Sequence, residues 1–441
     1  MSRIAVFGAG YVGLVTGVCF ADLGHDVVLR DVVPERIENL RRGEVPIYEP
    51  GLDEVIARNR GRLSFTLDVR EAVADSEFLY IAVGTPRMYS GDADLSAVWT
   101  VIDELPDDAA GTIVMKSTVP VGTGAKVRAA LDARGLVGVR YVSNPEFLAE
   151  GTAIADFRRP DRIVIGAFDE SDGDAVEALH VGIDAPIVRT DVASAEMVKL
   201  ASNAFLSTRI SFVNEIANVC ELVGADVVAV ARGMGLDHRL GPHFLRAGIG
   251  FGGSCFPKDI SALKQLAGNS GYHFQLLAAV IEVNELQKRR VVGKLEKHLG
   301  RLQGKRVALL GLAFKPGTDD MREAPSLVLA SRLAAEGAEV RAWDPVARPD
   351  DMHQIEICET YEEAVAGADA AVIVTEWPEL RELARPEVRD SMRRPLIVDG
   401  RNLLDPQRTR AAGFAYEGVG RPTSPLDVLP ETPEREPELD A

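Results

Sequence analysis

The stretch Gly248-Ile249-Gly250-Phe251-Gly252-Gly253-Ser254-Cys255-Phe256-Pro257-Lys258-Asp259 sets four glycines around one cysteine and follows it with a Lys-Asp pair. Glycine at that density lets the main chain take up positive φ and lets another molecule approach the backbone closely. A thiol on such a turn, with a cation three residues on, has the make-up of an activated nucleophile. A tight surface turn that happens to contain a cysteine would read the same on these twelve residues alone.

The elements that must position this stretch begin at the N-terminus. Arg3-Ile4-Ala5-Val6-Phe7 reads as a buried strand, Gly8-Ala9-Gly10-Tyr11-Val12-Gly13 follows at once, and residues 14–23 read as a helix that ends at Gly24. A second strand over 26–29 runs into Asp31. Strand, G-x-G-x-x-G, helix, strand and acid in register predict a dinucleotide site. Gly8 makes the turn, Gly10 admits the pyrophosphate, Gly13 packs helix on strand, and the helix N-terminus supplies amide donors. Asp31 stands where an acid binds ribose hydroxyls, which favours NAD over NADP. Arg36 reads either as a stacking partner on the adenine side or as a solvated charge.

Further strands are expected at 78–83, 112–115, 140–142 and 162–166. The first three hand Gly84-Thr85-Pro86, Lys116-Ser117-Thr118-Val119-Pro120 and Ser143-Asn144-Pro145-Glu146-Phe147-Leu148-Ala149-Glu150-Gly151 to one carboxyl-end crevice. Residues 1–190 thus read as a Rossmann domain. From Val192 to Val223 there is neither Pro nor Gly until Gly224, so a helix of some thirty residues, roughly 45 Å long at 1.5 Å per residue, is expected as a spine. Lys199 and Asn203 are four apart on it and share a face, as functional groups or as a solvated Lys and an incidental Asn. Helical patterns recur at 260–266 and 275–299, closing a helical middle domain over 191–300 that carries the cysteine loop. At Arg306 the α/β plan restarts, with strands at 306–311, 339–343, 370–374 and 396–398. This second Rossmann-like sheet, over 301–420, has no glycine fingerprint. Its first loop carries Lys315 and Arg322, which suits a phosphate-bearing ligand other than NAD. The fold class is α/β: two doubly wound sheets joined by a long central helix and a helical middle domain.

Composition bounds the function. The 441 residues carry a net charge of −18, which argues against nucleic acid or an anionic membrane as a partner. Six acidic side chains and one Arg crowd the last fifteen residues, and 421–441 read as a disordered acidic tail. The four cysteines are scattered without metal-ligand spacing, and no apolar run reaches the ~18 residues of a membrane span. With the first strand starting near Arg3, no signal peptide is expected. A cytoplasmic, metal-free protein follows. Cys19, Cys220 and Cys358 read as small core residues. Two nucleotide-type sheets with a thiol between them suggest two nucleotide ligands meeting at Cys255. A nicotinamide enzyme has use for sulfur when an aldehyde must be oxidised further, through a thiohemiacetal and a thioester that water then cleaves. Lys258 or a nearby cation is expected to favour the thiolate. Glu146 or Glu150 is placed to serve as hydrolytic base.

The chain resembles the nucleotide-sugar 6-dehydrogenases, the UDP-glucose/GDP-mannose dehydrogenase family. The resemblance covers residues 4–420 and is carried by GAGYVG at 8–13, VGTP at 83–86, KSTVP at 116–120, SNPEFLAEGTAI at 143–154, EMVKLASNAFLSTRISFVNEI at 196–216, GFGGSCFPKD at 250–259 and GLAFKPGTDDMREAPS at 311–326. It implies a four-electron oxidation of a sugar C6 alcohol to the carboxylate with two NAD reduced, most closely on UDP-glucose. Members acting on GDP-mannose tend towards Leu where Phe256 stands, and those acting on UDP-N-acetylmannosamine lack the Phe-Pro-Lys-Asp run. A nucleotide-sugar-binding protein without turnover is the alternative of another class. The resemblance implies Cys255 as nucleophile, Lys199 and Asn203 beside C6, Asp259 holding a water or the Lys, and Thr118 with Glu146 handling water. It implies cofactor contacts at Tyr11, Val12, Asp31, Arg36, Thr85, Thr118, Glu150, Lys258 and Arg322. For the sugar nucleotide it implies Glu146-Phe147-Leu148-Ala149-Glu150, Lys199, Asn203, Phe244-Leu245-Arg246-Ala247-Gly248, Gly252 and Lys315. Arg239 matches an arginine offered across a homodimer.

Overall fold

The computed structural model describes residues 1–349, 355–424 and 427. Contacts divide the chain into two units. The first comprises 1–207, 254–279 and 317–319, and the second comprises 208–253, 280–316 and 320–441.

In the first unit, short apolar runs make an eight-stranded sheet. Its strands are β1 (Arg3–Phe7), β2 (Asp26–Arg30), β3 (Leu63–Thr66), β4 (Phe78–Ile81), β5 (Thr112–Met115), β6 (Arg140–Ser143), β7 (Ile163–Ala167) and β8 (Ile187–Thr190), in the order β3-β2-β1-β4-β5-β6-β7-β8. All neighbours are parallel except β6 and β7. Alternate residues of β1 feed two cores. Ile4 and Val6 pack with Leu14, Val18, Phe20 and Tyr80, while Ala5 and Phe7 pack with Leu79, Ile81, Ile113 and Val127. Both faces are covered, as a parallel sheet requires. Strands β3 and β8 were not expected. Each is four residues long, lies at a sheet edge and mixes polar with apolar side chains, so neither shows the continuous apolar run of an inner strand.

The second unit holds six parallel strands, β9 (Arg306–Leu310), β10 (Glu339–Trp343), β11 (Ile355–Ile357), β12 (Ala370–Ile373), β13 (Leu396–Asp399) and β14 (Ala415–Gly418), in the order β11-β10-β9-β12-β13-β14. The edge strands β11 and β14 were not anticipated, for the same reason. The core unites Val307, Leu309 and Ile373 with Val213 and Ala217 from a helix and Leu295 from another.

The spine helix spans Val192–Val223, 32 residues, and the division between the units falls within it. It ends at Gly224, whose φ of 75° is the left-handed cap expected there. The segment 191–300, expected as a helical middle domain, is helical over most of its length and is shared between the two units. The cysteine helix starts earlier than the sequence suggested. It covers Phe256–Asn269 rather than 260–266, with Cys255 at the N-cap position. Pro257 is the signal that was passed over, since proline is well placed in a first helical turn. Of the tail expected to be disordered from Arg421, residues 421–424 and 427 are described. Arg421 pairs with Asp226 at 3.2 Å and Asp427 with Arg410 at 2.8 Å. The rest of that tail lies outside the described residues. Among the described residues no helix is long and apolar enough to cross a membrane.

Candidate active site

The three fingerprint glycines have different physical reasons. A Cβ on Gly13 would lie 1.8 Å from the Gly8 carbonyl oxygen, and one on Gly8 would lie 2.7 Å from that of Ala82. The protein's own packing therefore forbids side chains at both. A Cβ on Gly10 would meet nothing within 4 Å. That open space lies at the N-cap of helix Tyr11–Asp22, which no side chain caps, so the first-turn amides face a place where a pyrophosphate can lie. The residues present fit NAD. Asp31, buried just past β2, accepts from the Ala9 amide at 2.7 Å and from Val33 at 3.0 Å, and pairs with Arg36 at 2.9 Å. It thus braces the glycine turn, and Arg36 is a partner of the acid.

The loops that leave β4, β5 and β6 interlock. Thr85 Oγ1 donates to the Thr118 carbonyl at 2.9 Å, and Ser117 Oγ donates to that of Val83 at 2.7 Å. Glu196 on the spine helix accepts from the amides of Gly122 and Gly124, both at 2.7 Å. That ties the helix to the β5 loop one turn before Lys199. Tyr11 donates its hydroxyl hydrogen bond to Glu49, whose carboxylate also accepts from the amides of Gly151 at 2.6 Å and Ala153 at 2.8 Å. Glu150 accepts from Thr318 at 2.9 Å. Sequence reasoning missed Glu49 and Glu196. Nothing local marks them, because their partners are 38 to 104 residues away.

Around the thiol, the first unit assembles the expected groups. Lys199 and Asn203 are buried on one face of the spine helix. Lys199 pairs with the buried Glu146 at 2.8 Å, and Asn203 donates to Asp259 at 2.6 Å. Asp259 lies one turn past Cys255 on the cysteine helix and also pairs with Lys258 at 2.5 Å, whose ammonium reaches Thr85 at 3.4 Å. Asp259 thus holds Asn203 and Lys258, rather than Lys199 directly. Burial works against the Glu146 carboxylate, but the charge and hydrogen bond of Lys199, with the Leu148 amide and Lys116, hold it below the usual carboxylate range. Burial also works against the Lys199 ammonium, and Glu146, Cys255 and Asp259 together raise it above the usual lysine range.

The thiol departs from expectation. Burial pushes the Cys255 thiol up, Glu146 and Asp259 add to that, and Lys199 and Lys258 oppose without prevailing. The cations already serve carboxylates, so the sulfur keeps its proton in the resting site. Cys255 is partly exposed, while Cys19, Cys220 and Cys358 are buried and free. Phe147 lies under the Arg162 guanidinium, 3.6 Å from its ring centre, and Ala149 donates to Asp156 at 2.9 Å.

In the second unit the glycines before the thiol are required by the protein itself. A Cβ on Gly252 would come within 2.3 Å of the Glu323 carbonyl oxygen, and one on Gly253, at φ 83°, within 2.8 Å of the Phe314 ring. The Cβ side of both glycines is thus taken up by Glu323 and Phe314. Asn284 clamps this stretch, accepting from the Phe251 amide at 2.8 Å and donating to its carbonyl at 3.0 Å. The Gly248 amide donates to Asn214 at 2.8 Å. Leu245 and Ala247 are buried, and Phe244 is half exposed at φ 59°. Lys315 lies 5.4 Å from the Phe314 ring centre. Arg322 pairs with Asp320 at 2.7 Å, and the exposed Arg239 with Asp237 at 2.6 Å. No cluster of three His, Cys, Asp or Glu able to hold a metal occurs among the described residues.

The glycine crevice of the first unit is that of an NAD-binding oxidoreductase, and the buried Lys-Glu and Asn-Asp pairs beside a thiol equip it for redox chemistry at carbon. Comparison with known proteins narrows that class. Residues 2–184 match the NAD binding domain of the UDP-glucose/GDP-mannose dehydrogenase family, 193–286 its central domain and 308–406 its UDP binding domain. The chain belongs to this family. It is 46% identical over 441 residues to the UDP-glucose 6-dehydrogenase TuaD of Bacillus subtilis (strain 168), covering 97% of this chain and 96% of that protein. Among solved structures it is similar to a UDP-glucose dehydrogenase from Pyrobaculum islandicum, at TM-score 0.89 and 40% identity over 96% of this chain and 98% of the other. It is also similar to a UDP-D-MAnNAc dehydrogenase from Pyrococcus horikoshii, at TM-score 0.85 and 31% identity over 97% and 100% of the two chains.

Proposed function

We propose that this chain oxidises the C6 alcohol of UDP-glucose to the carboxylate, by way of a thiohemiacetal and a thioester on Cys255. The observation that carries the reading is the arrangement around the thiol. Cys255 sits at the N-cap of its helix, Asp259 lies one turn on and is tied to Asn203, and Lys199 is paired with Glu146. The higher identities to proteins named for UDP-glucose than to the one named for UDP-D-MAnNAc support that sugar.

NAD, held at the Gly8–Gly13 turn, would supply the hydride acceptor for both oxidations. Lys199, charged and buried, with Asn203 beside it, stabilises negative charge on the C6 oxygen as its proton leaves to water held near Asp259. The Cys255 thiol adds to the aldehyde carbon, and its proton goes to the carbonyl oxygen. Loss of hydride, and of the hydroxyl proton to the same water, leaves the thioester. Glu146, held as a carboxylate, takes a proton from the water that attacks it, with Thr118 orienting that water. Sulfur then leaves and regains its proton, as the raised Cys255 pKa favours. Tyr11, Val12, Thr85, Glu150, Lys258 and Arg322 are proposed as cofactor contacts, and residues 147–149, 244–248, Gly252 and Lys315 as sugar-nucleotide contacts.

The working unit is proposed to be at least a homodimer, with Arg239 offered to the neighbour. The spine helix exposes Phe205, Phe212 and Val219, seven residues apart on one face, an apolar seam of the kind two helices cover together. The cytoplasm, where free thiols persist, is the proposed location. Purified protein given limiting UDP-glucose and excess NAD should form two NADH per sugar. One NADH per sugar, or release of an aldehyde, would sink the double oxidation. GDP-mannose and UDP-N-acetylmannosamine tested in parallel decide the sugar.

A further inference from the structure

Behind the Glu146 turn lies a cavity lined by Lys116, Asn144, Phe147, Arg162 and His180, with residues 144, 145, 147 and 148 contributing but not Glu146 itself. Its most unusual member is Lys116. This lysine follows β5, is buried, and donates to a single neutral acceptor, Asn144 Oδ1, at 3.1 Å. The amide of Asn144 is in turn locked by donating to the Val164 carbonyl at 2.9 Å. Two residues later the chain reaches Glu146, whose second oxygen accepts from the Leu148 amide at 2.6 Å. A buried ammonium with one neutral partner is costly unless a nearby negative charge repays it.

The groups that face Lys116 identify that charge. His180, on the helix side, stays neutral, since burial pushes its pKa down to about 4. Arg159 and Arg162 are cations, and Asp156 and Asp161 line the same cavity. Asp156 accepts from Ala149 and from Thr152. Lys199 repels Lys116, and Glu146 is the one group whose charge favours its protonated form. We infer that Lys116 is a positioning residue for Glu146. Its ammonium anchors the Asn144–Glu146 turn from the cavity side and, together with Lys199, keeps the carboxylate ionised for the attack of water. Lys199 holds one side of Glu146 and faces the reacting carbon, whereas Lys116 acts from outside the reacting cluster. Burial lowers Lys116 to about 8 against the opposing pull of Glu146, so its charge is present through neutral pH and fades above it.

This inference rests on Glu146 acting in hydrolysis, and the test separates the two. Lys116→Met keeps volume and removes charge, Lys116→Arg restores charge, and Glu146→Gln removes the base. All three full-length proteins are assayed for NADH formation with UDP-glucose from about pH 3 to pH 9, so that a limb below the usual carboxylate range falls within the window. For Lys116→Met the expected result is kcat lower by about 10-fold or more, KM within about 2-fold, and the acid limb of the kcat profile moved up by about one pH unit. Lys116→Arg should bring the limb back. Thermal melts should show Lys116→Met at least as stable as wild type, because it removes a buried charge. A limb left in place, with or without a fall in kcat, would reduce Lys116 to a packing residue and overturn the inference. Should Lys116→Met not fold, the limb in Lys116→Gln decides by the same criterion. Full turnover by Glu146→Gln would instead overturn the role given to Glu146.

Discussion

Gly10→Ala isolates what the glycine crevice is for. Gly10 has φ −75° and ψ −169°, a conformation open to any residue, and an added Cβ meets no atom within 4 Å. For the fold alone, alanine at such a site is neutral or stabilises by about 0.4–1 kcal/mol through the unfolded chain. In a domain of this size that is a rise in Tm of at most about 4 °C. For the ligand the methyl group stands between a pyrophosphate and the first-turn amides. Losing one hydrogen bond to a charged group costs about 1.5–3 kcal/mol, or roughly 10- to 100-fold in Kd. Melts without NAD should therefore match or exceed wild type, while titration with NAD shows the loss and the NAD-induced rise in Tm shrinks. Gly13→Ala is the control. With 1.8 Å between its Cβ and the Gly8 oxygen, it should lower Tm in the absence of any ligand. Unchanged NAD affinity in Gly10→Ala would refute the placement of the pyrophosphate, and an unfolded Gly10→Ala would refute the geometry.

Lys199→Met strands a buried carboxylate, and breaking such a pair costs about 3–5 kcal/mol. Glu146 is depressed in the wild type, so its contribution is present above the unfolded value near 4.3 and lost as pH falls through the folded one. In Lys199→Met burial raises Glu146 instead, so Tm should increase from pH 8 to pH 5, and a fall over that range would contradict the account. Cys255→Ser should keep NAD affinity and lose the doubled NADH yield; a wild-type yield would remove the thiol from the mechanism. Because the Cys255 thiol is raised, alkylation of the free protein by iodoacetamide should keep accelerating above pH 9, and a plateau below pH 8 would contradict the thiol's protonation. Asn284→Ala removes both side-chain hydrogen bonds to the Phe251 backbone and should destabilise by about 1–3 kcal/mol, read by urea unfolding.

Both sheets were legible in the sequence because their inner strands are continuous apolar runs and their first loop is glycine-punctuated. The spine helix was legible because nothing within it breaks a helix. Lys199 and Asn203 could be placed on one face by spacing alone. The edge strands escaped because each is only three or four residues long and mixes polar with apolar side chains, which erases the pattern. Glu49, Glu196, Lys116 and Asn284 escaped because each works on backbone or charge far away in the chain, where no local spacing can announce it.

What the residues alone determined about this protein is therefore the set of reactive groups and their order: the fingerprint glycines, the carboxyl-end loops, the Lys/Asn face and Cys255 with its Lys-Asp pair. Local preferences and covalent spacing suffice for those. Only the tertiary structure decided how the charges pair. It assigned Lys199 to Glu146 and Asn203 to Asp259, left the thiol protonated, and packed Glu323 and Phe314 where side chains on Gly252 and Gly253 would lie. The physical reason is that ion pairing, burial and close packing act through space and depend on which distant segments fold together.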